Sequence, residues 1–252
     1  LRNYGNLQDQ QKPLVVSGIL LALNERKQAL LDELKGDEVN TDGTIIYSAI
    51  ETALKRANVA PEVKRDKILH QFGVIQDTAL LNRINPTLGE TPLKYYTKFL
   101  YNHIFKAIKY TKSSEDYLGR FYGEFMSYSG GDGQSLGIIL TPKHITELFA
   151  DLVDLKPTDT VFDPCCGTGG FLISAMHKML GQATTDAQRL NIRKNQLHGI
   201  ELQPYMFTIA TTNMILRGDG KSNLINADFF DESAEKMQLK GATVGMINPP
   251  YS

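Results

Sequence analysis

Apolar residues in the first half of the chain recur at every third or fourth position, which is the spacing of one buried helix face. Residues 3–35 show this pattern and predict a helix, which Gly36 and Asp37 end. Residues 45–54 predict a second helix, and Pro61 opens a third helical segment that continues through Ile75. The first half of the chain is therefore predicted to be helical.

Residues 93–112 form a basic and aromatic segment, with five lysines, no acidic residue, and tyrosines and phenylalanines between the lysines. This composition is compatible with nucleic-acid binding. We favour the alternative, an amphipathic helix whose lysines face solvent, because such patterns usually fold in that way. The core stripe of this helix would comprise Tyr96, Phe99, Leu100, Ile104 and Ile108.

The glycine-rich residues 129–133 mark a change in the pattern. Beyond them, short apolar runs alternate with helical runs, which is typical of a parallel sheet covered by helices. The predicted strands are residues 160–162, 197–200, 223–226 and 244–247, and the predicted helices are residues 143–155, 170–180, 187–195 and 204–216. We therefore predict a helical domain over residues 1–135 and an α/β domain over residues 136–252.

Composition narrows the classes of function. The 252 residues carry 27 Lys and Arg against 28 Asp and Glu, a formal net charge of −1. The chain as a whole therefore lacks the positive field of a stand-alone DNA-binding protein, and binding to nucleic acid would need a local surface or a partner. The two cysteines, Cys165 and Cys166, are adjacent, which suits neither a disulfide nor a zinc site and favours a reducing cytoplasm.

The sequence predicts neither a membrane-spanning segment nor a metal site. The most apolar early run, residues 13–23, is too short to cross a bilayer and reads as a buried helix. His144, His177 and His198 are spread along the second half without the spacing of metal ligands, so we expect structural roles for them.

A glycine-rich loop follows the first predicted strand, in the segment Asp-Pro-Cys-Cys-Gly-Thr-Gly-Gly-Phe at residues 163–171. Gly167, Gly169 and Gly170 allow positive φ angles and close approach of a ligand, and the helix that begins there favours a negative group such as a carboxylate. Asp163, at the tip of the strand, can hold an ammonium group. The spacing matches neither a dinucleotide-binding fingerprint nor a phosphate-binding loop.

Acidic residues also end the next two predicted strands. Glu201 is placed to accept hydrogen bonds from both hydroxyls of a ribose. Asp228, followed by Phe229, is placed to bind the amine and the face of an adenine. A ligand with an ammonium group, a carboxylate, a ribose and an adenine is S-adenosylmethionine, which is therefore the predicted cofactor.

The fourth predicted strand ends in Asn248, Pro249, Pro250 and Tyr251. An aromatic amino group is a weak nucleophile, and a catalyst gains by accepting its N–H bonds. The Asn248 side-chain oxygen and the Pro249 carbonyl are two such acceptors, and Tyr251 would stack on the base. For a duplex target, the base would first have to be flipped out of the helix.

On the segments at residues 163–172 and 248–252, the chain resembles the amino-group DNA methyltransferases, most closely the modification subunit of type I restriction-modification systems. The resemblance implies a Rossmann-like S-adenosylmethionine-dependent sheet after an all-α domain, and methylation of adenine N6 in DNA. It also implies a specificity subunit and a restriction subunit as partners. The cofactor-binding residues that it implies include Thr141 and Pro142 at the methionine end, and Gly167, Thr168, Gly169, Gly170 and Phe171 in the loop.

The family continues well beyond its Asn-Pro-Pro-Tyr motif, so we expect this chain to hold an incomplete sheet, truncated after the fourth strand, that folds poorly alone. Two other functions stay open at this stage. The acceptor could be a protein glutamine or an RNA base amino group, because the motif suits any planar amine. The chain could also be a non-catalytic assembly module of the same fold.

Overall fold

The computed structural model describes residues 2–106, 141–218, 223–232 and 241–249. The chain forms two compact units, Leu1–Gly130 and Gly131–Ser252. The predicted domain boundary between residues 135 and 136 and the glycine-rich residues 129–133 lie outside the described residues, and that boundary stays a prediction.

The described part of the first unit is helical, as predicted. Its helices are α1 (Arg2–Gly5), α2 (Gln11–Arg26), α3 (Ala29–Glu33), α4 (Asp42–Arg56), α5 (Glu62–Gln71), α6 (Gly73–Asp77), α7 (Ala79–Asn82) and α8 (Pro92–Leu100). The single helix predicted over residues 3–35 is wrong, because the chain forms α1, α2 and α3 there. Asn6 and Lys27 interrupt the helical run with positive φ angles of 45° and 54°, and a helix cannot continue through that conformation.

Helix α2 is the centre of the first unit. Its residues from Pro13 to Leu23 are all buried, as expected for the apolar run at 13–23, and it packs on α4, α6 and α8. Gly18 allows close packing, since a Cβ atom there would lie 2.5 Å from Ile75 Cδ1 and 2.9 Å from Ile50 Cδ1. The core thus depends on one small residue at a helix crossing.

The basic and aromatic segment is a core element along the residues that the structure describes. Helix α8 is followed by a π-helical turn, Tyr101–Phe105. The buried side chains are those of Leu93, Thr97, Leu100, Tyr101, Ile104 and Phe105. The predicted stripe is therefore correct at Leu100 and Ile104 but wrong at Phe99, which is 49% exposed. The buried face of α8 follows Leu93, Thr97 and Leu100 at the usual spacing of four and three, and Phe99 lies about 100° around the helix from Leu100. Tyr96 is half-buried, and Ile108 lies outside the described residues.

The second unit is an α/β unit. In the described residues, its elements are α9 (Lys143–Leu152), β1 (Val161–Asp163), α10 (Gly170–Gln182), α11 (Asp186–Asn195), β2 (Leu197–Glu201), α12 (Pro204–Leu216), β3 (Asn223–Asn226), a 3-10 turn (Phe229–Asp231) and β4 (Val244–Gly245). These elements match the predicted strands and helices within a few residues. The α/β prediction is confirmed.

The described strands form one parallel sheet in the order β3-β2-β1-β4. The register pairs Asp163 with Gly199 and Glu201 with Asn226, while β4 pairs with β1 on its other side. Because every strand runs in the same direction, their carboxyl ends lie along a single edge of the sheet. The residues that follow the four strands are therefore neighbours in space although they are distant in sequence.

Gly199 should be intolerant of a larger side chain. A Cβ atom there would lie 2.9 Å from Leu172 Cδ1 and Leu224 Cδ2, and 3.0 Å from Cys166 Cβ, in a part of the core that is buried. We expect Gly199→Ala to lower the free energy of unfolding by about 1–3 kcal/mol through overpacking, as measured by urea unfolding of the complete natural protein.

Gly181→Ala is the matched control, since Gly181 lies in α10 of the same unit and a Cβ atom there meets nothing within 4 Å. Alanine is the better helix former, so this change should leave stability equal or raise it by up to about 1 kcal/mol. Equal stability of the two variants would contradict the close packing at Gly199.

Candidate active site

Four of the predicted site residues follow the four strands along one edge of the sheet. In the order of the strands they are Asp228 after β3, Glu201 at the end of β2, Asp163 at the end of β1 and Asn248 after β4. The backbone N–H of Met246 still donates to the Phe162 carbonyl, 3.0 Å away, so the segment beyond β4 stays beside β1.

The glycine loop is fastened to the end of β2 by its own backbone. The N–H of Cys166 donates to the Ile200 carbonyl, 2.9 Å away, and the N–H of Gly167 donates to Glu201 Oε2, also 2.9 Å away. Gly167 and Gly169 have φ angles of 55° and 86°, which side chains rarely allow. The loop therefore turns sharply into α10, whose first turn contains no acidic side chain and so suits a negative group.

Glu201 and Asp163 are buried carboxylates held by backbone donors. Glu201 Oε1 accepts from the N–H of Gln203 at 2.7 Å, and Asp163 Oδ1 accepts from the N–H of Cys165 at 3.1 Å. Their exposures are 9% and 1%. Each carboxylate retains lone pairs beyond these bonds, because an ionised carboxyl can accept about four.

The two buried carboxyls have raised pKa values. Burial raises the pKa of Asp163 to about 7, while the Cys165 N–H lowers it and the Glu201 carboxylate raises it further. Burial likewise raises the pKa of Glu201, against the lowering effect of its backbone N–H bonds. Among the described residues, no cationic side chain contributes to either shift. A ligand with an ammonium group and donor hydroxyls would supply what these carboxylates lack, so the residues fit the predicted cofactor.

Asn248 is half-buried, and its side-chain Nδ2 donates to Thr141 Oγ1 at 3.0 Å. This bond joins two predicted site residues that are 107 positions apart. The amide oxygen of Asn248 accepts no hydrogen bond within the described residues, and Pro249 beside it is exposed. Two carbonyl-type acceptors are therefore adjacent after β4. Pro250 and Tyr251 lie outside the described residues, and their roles stay predictions.

Asp228 caps the short turn that follows β3, because its Oδ1 accepts from the Phe230 N–H at 2.9 Å. The ring of Phe229 lies 6.2 Å from that of Phe162 and 5.5 Å from that of Phe230. Phe230 is 91% exposed, while Phe229 is half-buried. An aromatic surface therefore stands beside Asp228, and the assignment of Asp228 and Phe229 to an adenine stays a prediction.

The remaining predicted residues differ in accessibility. Phe171 is 4% exposed and its ring lies 5.6 Å from that of Phe149, so its side chain packs α10 against α9. Thr168 and Gly170 are half-buried, and Pro142 is exposed just before α9. A ligand at this edge of the sheet would therefore meet the backbone of these loop residues rather than the Phe171 ring.

Asn213 and Asn226 also support the site, and sequence reasoning did not find them. Asn213 Nδ2 donates to the Thr168 carbonyl at 3.0 Å, from a helix that is buried along most of its length. Asn226 Nδ2 donates to the Glu201 carbonyl at 2.9 Å. The sequence does carry a signal for Asn213, which is a polar amide inside an otherwise apolar helix. A buried amide needs a hydrogen-bond partner, so such a residue is a candidate for a supporting role.

No helix in the described ranges is long and apolar enough to cross a membrane. The same ranges contain no group of three or more His, Cys, Asp or Glu side chains that could hold a metal ion.

Comparison with protein families identifies the second half of the chain. A family model described as N-6 DNA methylase matches residues 113–252, which is more than half of the chain. The chain belongs to the N-6 DNA methylase family. The resemblance to amino-group DNA methyltransferases is thereby confirmed, and the matched residues include every strand and every predicted site residue described above.

Similar proteins come from restriction-modification systems. The N-6 DNA methylase chain is 49% identical to the type II restriction enzyme and methyltransferase RM.BcgI of Heyndrickxia coagulans, over all of this chain and 40% of that protein. It is 27% identical to the type I restriction enzyme MjaIX methylase subunit of Methanocaldococcus jannaschii, over 55% of this chain and 23% of that subunit. The chain thus spans less than half the length of these relatives.

The fold has been seen before in a solved structure from a type I R-M system. That structure superposes with a TM-score of 0.65 at 16% identity, over 99% of this chain and 52% of that chain. At this identity the likeness shows the fold alone.

The raised pKa of Asp163 predicts a pH-dependent stability. Its pKa is about 7 in the folded protein against 3.8 for an unperturbed carboxyl, so the folded state holds the proton more tightly. The resulting stabilisation is complete below pH 4 and is lost as the pH rises to about 7. We expect the free energy of unfolding of the cofactor-free protein to fall across this range, by up to about 1.4 kcal/mol per pH unit from this one group.

Asp163→Asn isolates this contribution, because the amide keeps an oxygen for the Cys165 N–H and does not ionise. Urea unfolding at a series of pH values should show a shallower decline in the variant than in the wild type, with the titration of Glu201 common to both. Parallel curves would show that Asp163 ionises as an ordinary carboxyl.

Proposed function

We propose that this chain is the catalytic part of an S-adenosylmethionine-dependent methyltransferase that modifies adenine N6 in DNA, within a restriction-modification system. The order of groups along the sheet edge carries the proposal. Asp228, Glu201, Asp163 and Asn248 follow adjacent strands in that sequence, which is the order in which an adenine, a ribose, an ammonium group and a methyl acceptor would be needed.

The cofactor would be held by groups of matching charge. Asp163 would face the ammonium group, and the spare lone pairs of Glu201 would accept the ribose hydroxyls. The first turn of α10 would face the carboxylate, and Asp228 with Phe229 would bind the adenine. S-adenosylmethionine, when bound, supplies an electrophilic methyl group.

The acceptor side depends on Asn248 and Pro249. The amino nitrogen of adenine is a weak nucleophile because its lone pair is delocalised into the ring. The Asn248 side-chain oxygen and the Pro249 carbonyl would accept hydrogen bonds from its two N–H groups. They would thereby favour a tetrahedral nitrogen whose lone pair is no longer delocalised into the ring. Tyr251 would stack on the base and offset part of the cost of flipping it, which is roughly a few kcal/mol.

DNA is the favoured acceptor because the chain is a member of the N-6 DNA methylase family and both relatives described above carry names from restriction systems. Those names also support a restriction function elsewhere in the protein or in a partner. The resemblance to type I modification subunits implies in addition a specificity subunit that would read the DNA sequence. A protein glutamine or an RNA base remains the second candidate acceptor, because the two carbonyl acceptors suit any planar amine.

Methyl transfer from labelled S-adenosylmethionine to DNA, RNA and protein tests the proposal with the complete natural protein and its partners. Label should enter DNA as N6-methyladenine. Asn248→Ala removes one of the two acceptors for the amino group and should lower kcat by about 100-fold or more, while calorimetry should still show one cofactor site per chain.

Two results would contradict the proposal. Label found in RNA or protein but not in DNA would assign the other acceptor class. Cofactor binding without transfer to any acceptor would favour a non-catalytic assembly module.

Cys166 should be dispensable for the transfer. Burial raises the pKa of its thiol well above the usual value, so the side chain stays protonated at neutral pH and cannot act as a nucleophile. We expect Cys166→Ala to cost about 1 kcal/mol of stability through a small cavity and to methylate DNA at a rate close to that of the wild type. Loss of transfer with cofactor binding retained would show that the thiol takes part in the reaction.

A further inference from the structure

Thr141 and Asn248 form a side-chain pair at the acceptor end of the site. Asn248 Nδ2 and Thr141 Oγ1 are 3.0 Å apart, and both side chains are half-buried. Thr141 precedes α9, whereas Asn248 follows β4, so the bond fixes one element of the unit to another. Asn248 makes no other side-chain hydrogen bond within the described ranges, and this contact is therefore what restrains its amide there.

The direction of the Asn248 amide decides whether the site can act on an amine. With Nδ2 on Thr141, the amide oxygen is turned away from Thr141 and can accept an N–H bond from the substrate. With the amide reversed, its NH₂ group would face the substrate amino group, and two donors would oppose each other. A site for amine methylation thus requires one of the two orientations.

We propose that Thr141 is a positioning residue for Asn248: its hydroxyl accepts the amide N–H and keeps the side-chain oxygen turned towards the amino group that is methylated. This inference rests on the proposed function, because it assumes that Asn248 accepts from a substrate amine. It assigns Thr141 a role in the acceptor half of the site, in addition to the methionine end of the cofactor.

The position of the Thr141 hydroxyl proton determines how strongly Thr141 favours one orientation of the Asn248 amide. A hydroxyl both donates and accepts, so Thr141 alone would tolerate either amide orientation. Once its proton is donated to another acceptor, only its lone pairs remain for Asn248, which must then present NH₂. An anionic group beside Thr141, such as the carboxylate of the proposed cofactor, is the acceptor that would fix this direction. Cofactor binding and acceptor geometry would thereby be coupled through one hydroxyl.

Thr141→Val tests the role, because valine keeps the shape of threonine and removes the hydroxyl. Thr141→Ser is the matched control, since it keeps the hydroxyl and removes only a methyl group. In the complete natural protein, at saturating cofactor, we expect kcat for DNA methylation to fall by about 10-fold or more in Thr141→Val and to stay near the wild-type value in Thr141→Ser.

The Asn248→Asp variant provides a second background, in which an effect on the orientation of the amide can be distinguished from general damage to the site. Asn248→Asp replaces the amide by a carboxylate, which presents an acceptor oxygen in either orientation. Its own activity will differ from that of the wild type, but adding Thr141→Val to it should cost less than about 3-fold, because there is no amide left to misorient. An equal cost in both backgrounds would overturn the proposal.

Binding of S-adenosylhomocysteine, measured by calorimetry, supplies a readout that does not depend on turnover. If the hydroxyl couples the two halves of the site, Thr141→Val should weaken binding about 5-fold or more with Asn at position 248, and by a smaller factor in the Asn248→Asp background. Retention of one binding site per chain would show that the variant is folded.

Each outcome bears on one of the two proposals. If the wild type transfers no methyl group to DNA, the proposed function fails whatever Thr141 does. If the wild type is active and Thr141→Val is as active as Thr141→Ser, the positioning role fails while the function stands. A Thr141→Val variant whose only defect is weaker cofactor binding, with normal kcat at saturation, would also refute positioning and leave Thr141 as a cofactor contact alone.

Discussion

The hydrogen bond from the Gly167 N–H to the Glu201 carboxylate is the interaction on which the rest of the site depends. It joins the loop after β1 to the end of β2, at the edge of the sheet where the Asp163 and Glu201 carboxylates both lie. The parallel register makes the bond possible, because Asp163 pairs with Gly199 and Glu201 stands two residues further along β2. Gly199, without a side chain, leaves room beside it for Cys166 of the same loop.

Much of this unit could be predicted from its sequence because the signals were local. A short apolar run followed by an acid, a glycine cluster or an Asn-Pro turn predicts a strand and its functional end, and the four runs that begin near Val161, Leu197, Asn223 and Val244 lie close to the observed strands. The constraint that all four strands run in parallel then brings their ends together. The sequence therefore led to Asp163, Glu201 and Asn248 before their positions were known.

The remaining features are set by contacts between distant residues. Nothing local at Thr141 indicates Asn248 as its partner, and nothing near Thr168 indicates that Asn213 holds its carbonyl. In the helical unit, Lys27 adopts a positive φ angle of 54° inside a run whose periodicity continues through it. Periodicity alone cannot reveal that break, because a change in one residue's φ angle leaves the spacing of the apolar residues unchanged.

The electrostatics of the site follow from the same geometry. Asp163 and Glu201 are 1% and 9% exposed, and no cationic side chain among the described residues compensates their charge. Burial is the main reason why both pKa values are raised, and the Glu201 carboxylate adds to the shift of Asp163. A core built only for stability would hold apolar side chains there. A cation and hydroxyl donors at this edge, as in the proposed cofactor, would relieve the unfavourable arrangement, so binding of the ligand would stabilise the site. Stability and ligand affinity are therefore linked through the same two side chains, and a substitution that improves one should weaken the other.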